Sequence, residues 1–181
     1  GLKNLKSTVD ALPEFISDKS IELFEKHKVY SKDEIFARYE IILENYYKTI
    51  NIEALTLRDM TKKDIMGAAL DYQSKLSGDI AKKKALGIGS VEVESGLLKE
   101  ASDNTLSMKK ELDNLCEDLK KADGMSDVLD LARFYHDVIL EDMERLRAPI
   151  DALETVIPSD IWPYPTYGQM LFSIGEEPDF R

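Results

Sequence analysis

Apolar and small side chains recur at strict intervals of three and four residues between positions 98 and 122. This spacing restricts the possible folds more than any other feature of the sequence. The residues are Leu98, Ala101, Thr105, Met108, Leu112, Leu115, Leu119 and Ala122. Residues with this spacing lie on one narrow stripe of an α-helix, as in a coiled coil or a long antiparallel hairpin. The stripe therefore predicts a long helix that packs against other helices.

A second long helix is predicted upstream of this stripe. It begins at Ser31-Lys-Asp-Glu34, a capping box in which the serine and the glutamate satisfy each other's backbone N–H groups. Its buried face is expected to contain Ile35, Tyr39, Ile42, Tyr46, Ile50, Ala54, Leu57, Ile65, Ala69, Tyr72, Leu76 and Ile80. Thr61-Lys-Lys-Asp64 or Gly67 could interrupt it. Gly87-Ile-Gly89 ends it, just after Lys82-Lys-Lys84, where cations suit the helix dipole.

A third long helix is expected to begin at a cap formed by Ser126 or Asp127. Pro149 lies inside this stretch and predicts a kink or a restart near residues 147–148, because proline lacks the backbone N–H donor. Pro158 ends the helix. The apolar residues that continue the helical spacing are Ile139, Met143, Leu146, Ile150, Leu153 and Ile157.

The complete pattern predicts an all-α fold: an antiparallel bundle of about three long helices, similar to a coiled-coil hairpin. A short N-terminal helix, capped by Asp18 and running to His27, precedes the bundle, and an extended tail rich in proline and aromatic residues follows it. We interpret residues 1–181 as a single helical domain. Residues 1–17 are a lead-in where Pro13 prevents a helix, residues 18–157 form the bundle, and residues 158–181 form the extended tail.

The C-terminal aromatic strip, Trp162-Pro-Tyr-Pro-Thr-Tyr-Gly-Gln-Met-Leu-Phe172, differs from the charged helices before it. Pro163 and Pro165 push the residues before them into extended conformations. Tryptophan and tyrosine combine a large apolar area with a polar group, which suits docking sites. The strip is therefore expected either to fold back across its own bundle or to dock on a neighbouring domain or subunit. The docking residues would be Trp162, Tyr164, Tyr167, Met170, Leu171 and Phe172.

Charge and composition exclude several classes of partner. The 181 residues carry a formal net charge of −11, so the chain gains nothing from displacing the counterions of nucleic acid and is repelled by anionic lipid. No apolar run approaches the length of a membrane span. Cys116 is the only cysteine and is expected to be a buried, reduced thiol in a cytoplasmic protein.

The sequence predicts no catalytic, cofactor-binding or metal-binding residue. A di-iron bundle needs Glu-x-x-His pairs, but Phe24 and Arg133 lie three residues before His27 and His136. His27 is expected to end its helix, and His136 to lie on a helix surface near an acidic residue. Gly87-Ile-Gly89-Ser90 lacks the spacing of a phosphate-binding loop. Acidic pairs, namely Glu141-Asp142 and Glu176-Glu177, are expected to lie in solvent.

The final run Ser159-Asp-Ile-Trp-Pro-Tyr-Pro-Thr-Tyr-Gly-Gln-Met-Leu-Phe172 resembles the extreme C-terminus of type III glutamine synthetases, the large bacterial form of that enzyme. The resemblance covers nearly the whole chain and is weakest over residues 85–123, where only the helical stripe and the charge support it. The other blocks, in family order, are Ala11-Leu-Pro-Glu-Phe15, Leu23-Phe-Glu-Lys-His-Lys-Val-Tyr30, Arg38-Tyr-Glu-Ile41, Lys48-Thr-Ile-Asn-Ile-Glu-Ala-Leu55 and Arg145-Leu-Arg-Ala-Pro149.

This resemblance implies a parent enzyme that ligates ammonia to glutamate with ATP and Mg²⁺ or Mn²⁺, and that assembles as a dodecamer. None of the family's catalytic motifs is in this sequence, so no catalytic residue is carried over to it. Residues 1–17 would lead in from an upstream catalytic domain, which would be a partner together with neighbouring subunits. The implied role is structural, in subunit architecture and packing. The alternative is a self-standing helical adaptor that binds a partner helix or a regulator.

Overall fold

The computed structural model describes residues 3–87 and 89–172, apart from the side chain of Tyr167. The described residues are helical or irregular and contain no strand, so the prediction of an all-α fold is confirmed. Two short π-helical turns, Thr61–Ile65 and Tyr135–Ile139, interrupt the α-helical geometry. The helices are α1 (Thr8–Phe15), α2 (Asp18–Lys26), α3 (Lys32–Met60), α4 (Met66–Leu86), α5 (Glu92–Ala122), α6 (Val128–Phe134), α7 (Leu140–Val156) and α8 (Tyr167–Phe172).

Local capping signals account for most helix starts. The predicted capping box before α3 is confirmed, since Glu34 N donates to Ser31 Oγ at 3.3 Å and Ser31 N donates to Glu34 Oε2 at 2.7 Å. Asp127 caps α6 as predicted and accepts a hydrogen bond from the N–H of Asp130 at 2.9 Å. At α2, however, the cap is Ser17 rather than Asp18, because the Ser17 hydroxyl accepts a hydrogen bond from the N–H of Ser20, the third residue of the helix.

The two prolines expected to break helices are instead accommodated within them. Pro13 lies inside α1, and Pro149 lies inside α7, which continues through residues 147–148 without a restart. Each proline removes one backbone hydrogen bond. Buried apolar side chains flank both sites: Leu12 directly precedes Pro13, and Leu146 and Ile150 lie on either side of Pro149. Tertiary packing therefore holds these helices together despite the lost bonds.

The predicted interruption of the second long helix takes the form of a π turn. Residues 32–86 run without a gap from α3 through the π turn Thr61–Ile65 into α4. A π turn inserts an extra residue without ending the helix. The helix ends at Gly87, which adopts the left-handed conformation at φ 67°. Lys83 and Lys84 occupy the last turn, as predicted.

The chain divides into two compact units, each built from separate segments. The first contains Gly1–Arg58 and Asp113–Arg145, and the second contains Asp59–Leu112 and Leu146–Arg181. The interpretation of residues 1–181 as one domain stays a prediction.

In the first unit, α1 packs on α3 and α6 through a buried cluster of Val9, Leu12, Leu43 and Ala132. Leu43 is fully buried, whereas Ile42 is exposed, so the prediction for Ile42 is wrong by one position. Counting from Ile35, positions 42 and 43 both continue the steps of three and four, so the spacing did not decide between them. The partly buried aromatic and aliphatic residues around this cluster are Tyr39, Tyr46, Tyr47, Val128 and Leu129.

In the second unit, the stripe on α5 is buried as predicted at Ala101, Thr105, Met108 and Leu112. Thr105 is a polar member of the stripe whose hydroxyl is satisfied, since it donates to the Ala101 carbonyl at 2.6 Å and accepts from Gln73 Nε2 at 2.9 Å. The other buried apolar side chains of this unit are Ile65, Ala68, Ala69, Tyr72, Leu76, Leu146, Ile150, Leu153, Ile157 and Trp162.

Candidate docking site at the C-terminal aromatic strip

The first half of the C-terminal aromatic strip is fixed in the second unit. After α7, the Pro158 carbonyl accepts hydrogen bonds from the backbone N–H groups of Ile161 and Trp162, both at 2.9 Å, which turns the chain. The Trp162 side chain is only 9% exposed. Its ring meets that of Tyr164 edge-on, at 6.4 Å between centroids. Such pairs favour this geometry because the ring edge is positive and the face is negative.

Tyr164 ties the strip to the first π turn. Its hydroxyl donates to Asp64 Oδ2 at 3.1 Å, and Asp64 lies in the π turn Thr61–Ile65. Burial of the ring, followed by the bond to the Asp64 carboxylate, raises the pKa of Tyr164 to about 12. Both causes favour the neutral phenol, which is the form that donates the bond. Among the described residues, Asp64 of the π turn is the one side chain that accepts a hydrogen bond from the Tyr164 hydroxyl.

The second half of the strip is a short helix and not the extended tail that the sequence predicts. The start of α8 has the features of a capping box: Gln169 N donates to Thr166 Oγ1 at 3.3 Å, and Thr166 N donates to Gln169 Oε1 at 2.7 Å. This local pairing explains why residues 167–172 form a helix after two prolines. The side chain of Tyr167 lies outside the described residues.

Three apolar side chains of α8 project into solvent. Met170 is 50% exposed, Leu171 67% and Phe172 86%; we call these three residues the apolar anchor. The strip therefore combines a buried half and an exposed half. Consecutive exposed apolar residues next to a fixed aromatic pair are typical of an interaction surface.

A second apolar surface lies on α3 in the first unit. An open groove of about 390 Å³ is lined by Thr8, Ile42, Asn45, Tyr46, Thr49, Ile50 and Glu53. Ile41 and Ile52 on the same helix are also exposed. The groove contains one carboxylate and no imidazole, thiol or cationic side chain in its lining, so it suits packing rather than acid–base or nucleophilic chemistry.

The two histidines and the single cysteine lie in ordinary environments. His27 is the C-cap of α2, as expected, and His136 Nδ1 lies 2.7 Å from Asp137 Oδ1 on a partly exposed face. Cys116 is half-buried, so the prediction of a buried thiol is wrong; it lies one position beyond the buried Leu115 and is turned toward the edge of the stripe. Within residues 3–87 and 89–172, no three His, Cys, Asp or Glu side chains are placed to share a metal ion.

Sequence reasoning misplaced one carboxylate. Glu141 is exposed as expected, but Asp142 is 1% exposed and belongs to the buried face of α7. The spacing did not decide between Asp142 and Met143, because 139, 142 and 146 and 139, 143 and 146 are both steps of three and four. The other acidic pair, Glu176-Glu177, lies outside the described residues. No helix in the part of the chain that the structure describes is both long enough and apolar enough to cross a bilayer.

The described residues form an all-α fold that carries an exposed apolar anchor. Comparison with known proteins gives the family. Residues 1–84 match the model of the glutamine synthetase C-terminal domain. The chain is 45% identical over 175 residues to a glutamine synthetase of Butyrivibrio fibrisolvens, an alignment that covers 96% of this chain and 25% of that protein.

Two more distant relatives agree. A glutamine synthetase of Bacteroides fragilis (strain YCH46) is 28% identical over 178 residues, and the type-3 glutamine synthetase of Dictyostelium discoideum is 28% identical over 187 residues. These alignments cover 96% and 95% of this chain, and 24% of each relative. The chain belongs to the C-terminal helical domains of type III glutamine synthetases. It spans about a quarter of the length of the curated relatives that it matches.

Proposed function

We propose that this chain is the non-catalytic C-terminal domain of a longer cytoplasmic glutamine synthetase. The full-length enzyme would make glutamine from glutamate, ammonia and ATP, with Mg²⁺ or Mn²⁺. The relatives named glutamine synthetase are about four times the aligned length, which leaves most of each relative to carry the catalytic domain. The role of this domain is structural: it packs against the upstream catalytic domain and against neighbouring subunits of a homo-oligomer, for which the family resemblance implies a dodecamer.

The observation that carries this proposal is the apolar anchor on α8. Met170, Leu171 and Phe172 are exposed in this chain, although the adjoining Trp162 and Tyr164 are held in place. Burial of a Met, Leu or Phe side chain contributes about 1.5–3 kcal/mol each. A partner surface that covered all three would gain several kcal/mol, and the fixed aromatic pair would reduce the ordering cost of docking.

The test uses the full-length enzyme with the three anchor residues changed to serine. The matched control changes three other exposed apolar residues of the same unit to serine: Leu86, Val93 and Leu106, which are 69%, 73% and 72% exposed. Sedimentation velocity would measure the assembly, and glutamine formation would measure the activity. We expect the anchor variant to dissociate into smaller species and lose activity, and the control variant to assemble as the wild type does.

Deletion of the whole domain from the full-length enzyme separates this proposal from the adaptor alternative. If the truncated enzyme assembles and turns over like the wild type, the structural role is wrong. If the anchor variant and the control behave alike, the anchor is not the docking surface.

A further inference from the structure

A buried carboxyl group in the first unit has one oxygen without a partner. Asp142 lies on α7, and its side chain is completely shielded from solvent. Its Oδ1 accepts a hydrogen bond from Arg145 Nη2. Its Oδ2 is the one fully buried side-chain polar atom without a hydrogen-bond partner within residues 3–87 and 89–172. An ionised oxygen in this position would be costly, because it has lost water and gained no donor.

A second carboxyl group from a different helix contacts Asp142. Asp118 on α5 contacts Asp142, and its Oδ1 accepts a hydrogen bond from Lys121 Nζ at 2.6 Å. Two ionised carboxylates in contact repel each other and have no proton with which to form a hydrogen bond. One proton between them removes the repulsion and lets Asp142 Oδ2 donate a hydrogen bond to Asp118.

We propose that Asp118 and Asp142, the acid pair, share one proton in the folded protein, carried on Asp142 Oδ2 and donated to Asp118. The shared proton is a pH-sensitive link between α5 and α7. The proposal concerns the stability of the first unit and does not depend on the assembly of a full-length enzyme.

Charged side chains of both signs on α5 and α7 surround the acid pair. On α5, Lys121 pairs with Asp118; on α7, Arg145 pairs with Glu141 at 2.5 Å and also donates to Asp142. Glu117 on α5 adds a further negative charge near Lys121. Ionisation of Asp142 would add one more negative charge, at a position shielded from solvent.

The two carboxyl groups respond to this environment in opposite directions. Burial raises the pKa of Asp142, and the contact with Asp118 adds to that rise. The hydrogen bond from Lys121 lowers the pKa of Asp118. Environments that separate the pKa values of two neighbouring acids assign the proton to one of them.

The sign of the pH dependence follows from these directions. Asp142 has a higher pKa in the folded than in the unfolded chain, so its stabilising contribution is complete below its unfolded pKa and is lost as pH rises through its folded pKa. Asp118 has a lower pKa in the folded chain, so its contribution is present above its unfolded pKa and is lost as pH falls through its folded pKa. The acid pair therefore stabilises the fold most strongly in mildly acidic solution.

The test compares D142N with E141Q in this chain. The asparagine copies the protonated acid, because its Oδ1 still accepts from Arg145 and its N–H₂ group donates to Asp118. We expect the wild-type urea midpoint to fall as pH rises through the raised pKa of Asp142, whereas the D142N midpoint lacks this decrease. E141Q removes an exposed carboxylate that also contacts Arg145, and it should follow the wild-type curve.

Carbon-13 NMR of the aspartate carboxyl groups measures the proton directly in the wild-type chain. One carboxyl carbon, which disappears in D142N, should titrate well above the ordinary aspartate value of about 3.9. In D118N this carbon should titrate at lower pH, because the repulsion has been removed. The proposal is overturned if the Asp142 carbon titrates at or below the ordinary value, or if D142N keeps the wild-type pH dependence.

Discussion

Replacement of Trp162 by alanine tests whether the first half of the strip belongs to the fold of this chain. Trp162 is nearly buried and makes an edge-on contact with Tyr164. Truncation of a buried tryptophan to alanine costs about 3–5 kcal/mol. About 0.5–1.5 kcal/mol of that loss corresponds to the aromatic contact with Tyr164. Because the strip lies near one end of the chain and can relax after truncation, we expect a loss near the lower end, about 3 kcal/mol.

Such a loss is large compared with the stability of an ordinary domain, which is about 5–15 kcal/mol. Urea unfolding followed by far-ultraviolet circular dichroism would measure it. With a slope of about 2 kcal/mol per molar urea, the midpoint should fall by about 1.5 M. Phe172→Ala is the matched control, since this exposed aromatic residue belongs to the same strip and its removal should change stability by less than about 0.5 kcal/mol.

Fluorescence gives an independent check, because Trp162 is the only tryptophan of the chain. In the folded wild-type chain its emission should be shifted to shorter wavelength and be poorly quenched by iodide, and both properties should disappear in urea. The reasoning is refuted if the native emission is that of a solvated indole, or if Trp162→Ala and Phe172→Ala have equal urea midpoints.

Two further predictions concern the same unit. Tyr164→Phe removes the hydrogen bond to Asp64 and should lower the free energy of unfolding by about 1 kcal/mol. In the wild type, ultraviolet absorbance should show one tyrosine that ionises only near pH 12. The stability of the wild type should fall as pH rises from the ordinary tyrosine pKa of about 10 towards that value. Gly87→Ala forces a side chain into the left-handed conformation at φ 67° and should cost about 1–2 kcal/mol. Gly124→Ala is its control, because a Cβ there lies at an ordinary 3.5 Å from the Lys121 carbonyl oxygen; equal midpoints for the two alanine variants would contradict this explanation.

The strip shows how much of the candidate site could be predicted from the sequence. Its composition singled out the six residues predicted to dock, because aromatic and apolar side chains next to prolines are unusual in a charged helical chain. The sequence did not predict that Trp162 is buried while Phe172 is exposed. Burial depends on which surface lies opposite each side chain, and Asp64, the partner of Tyr164, is 100 positions away in the chain.

Asp142 marks a different limit. The spacing of three and four residues allows either Asp142 or Met143 on the buried face of α7, and the polarity of aspartate argued for Met143. Only the approach of Asp118 from α5, together with Arg145, gives a buried acid an environment that it can occupy as a neutral carboxyl group. Single-sequence patterns describe one helix at a time, so a site made by two helices is not contained in either pattern.

By itself, the sequence determined where the long helices begin and which stripe of α5 is buried. The Ser31–Glu34 capping box, the Asp127 cap and the periodicity of α5 all involve residues within a few positions of each other, and such interactions form in the isolated segment. The tertiary structure alone decided that Pro13 stays helical, that Leu43 and not Ile42 is buried, and that half of the strip faces solvent. These outcomes depend on contacts between residues far apart in the chain, whose packing energy exceeds the local preferences that the sequence displays.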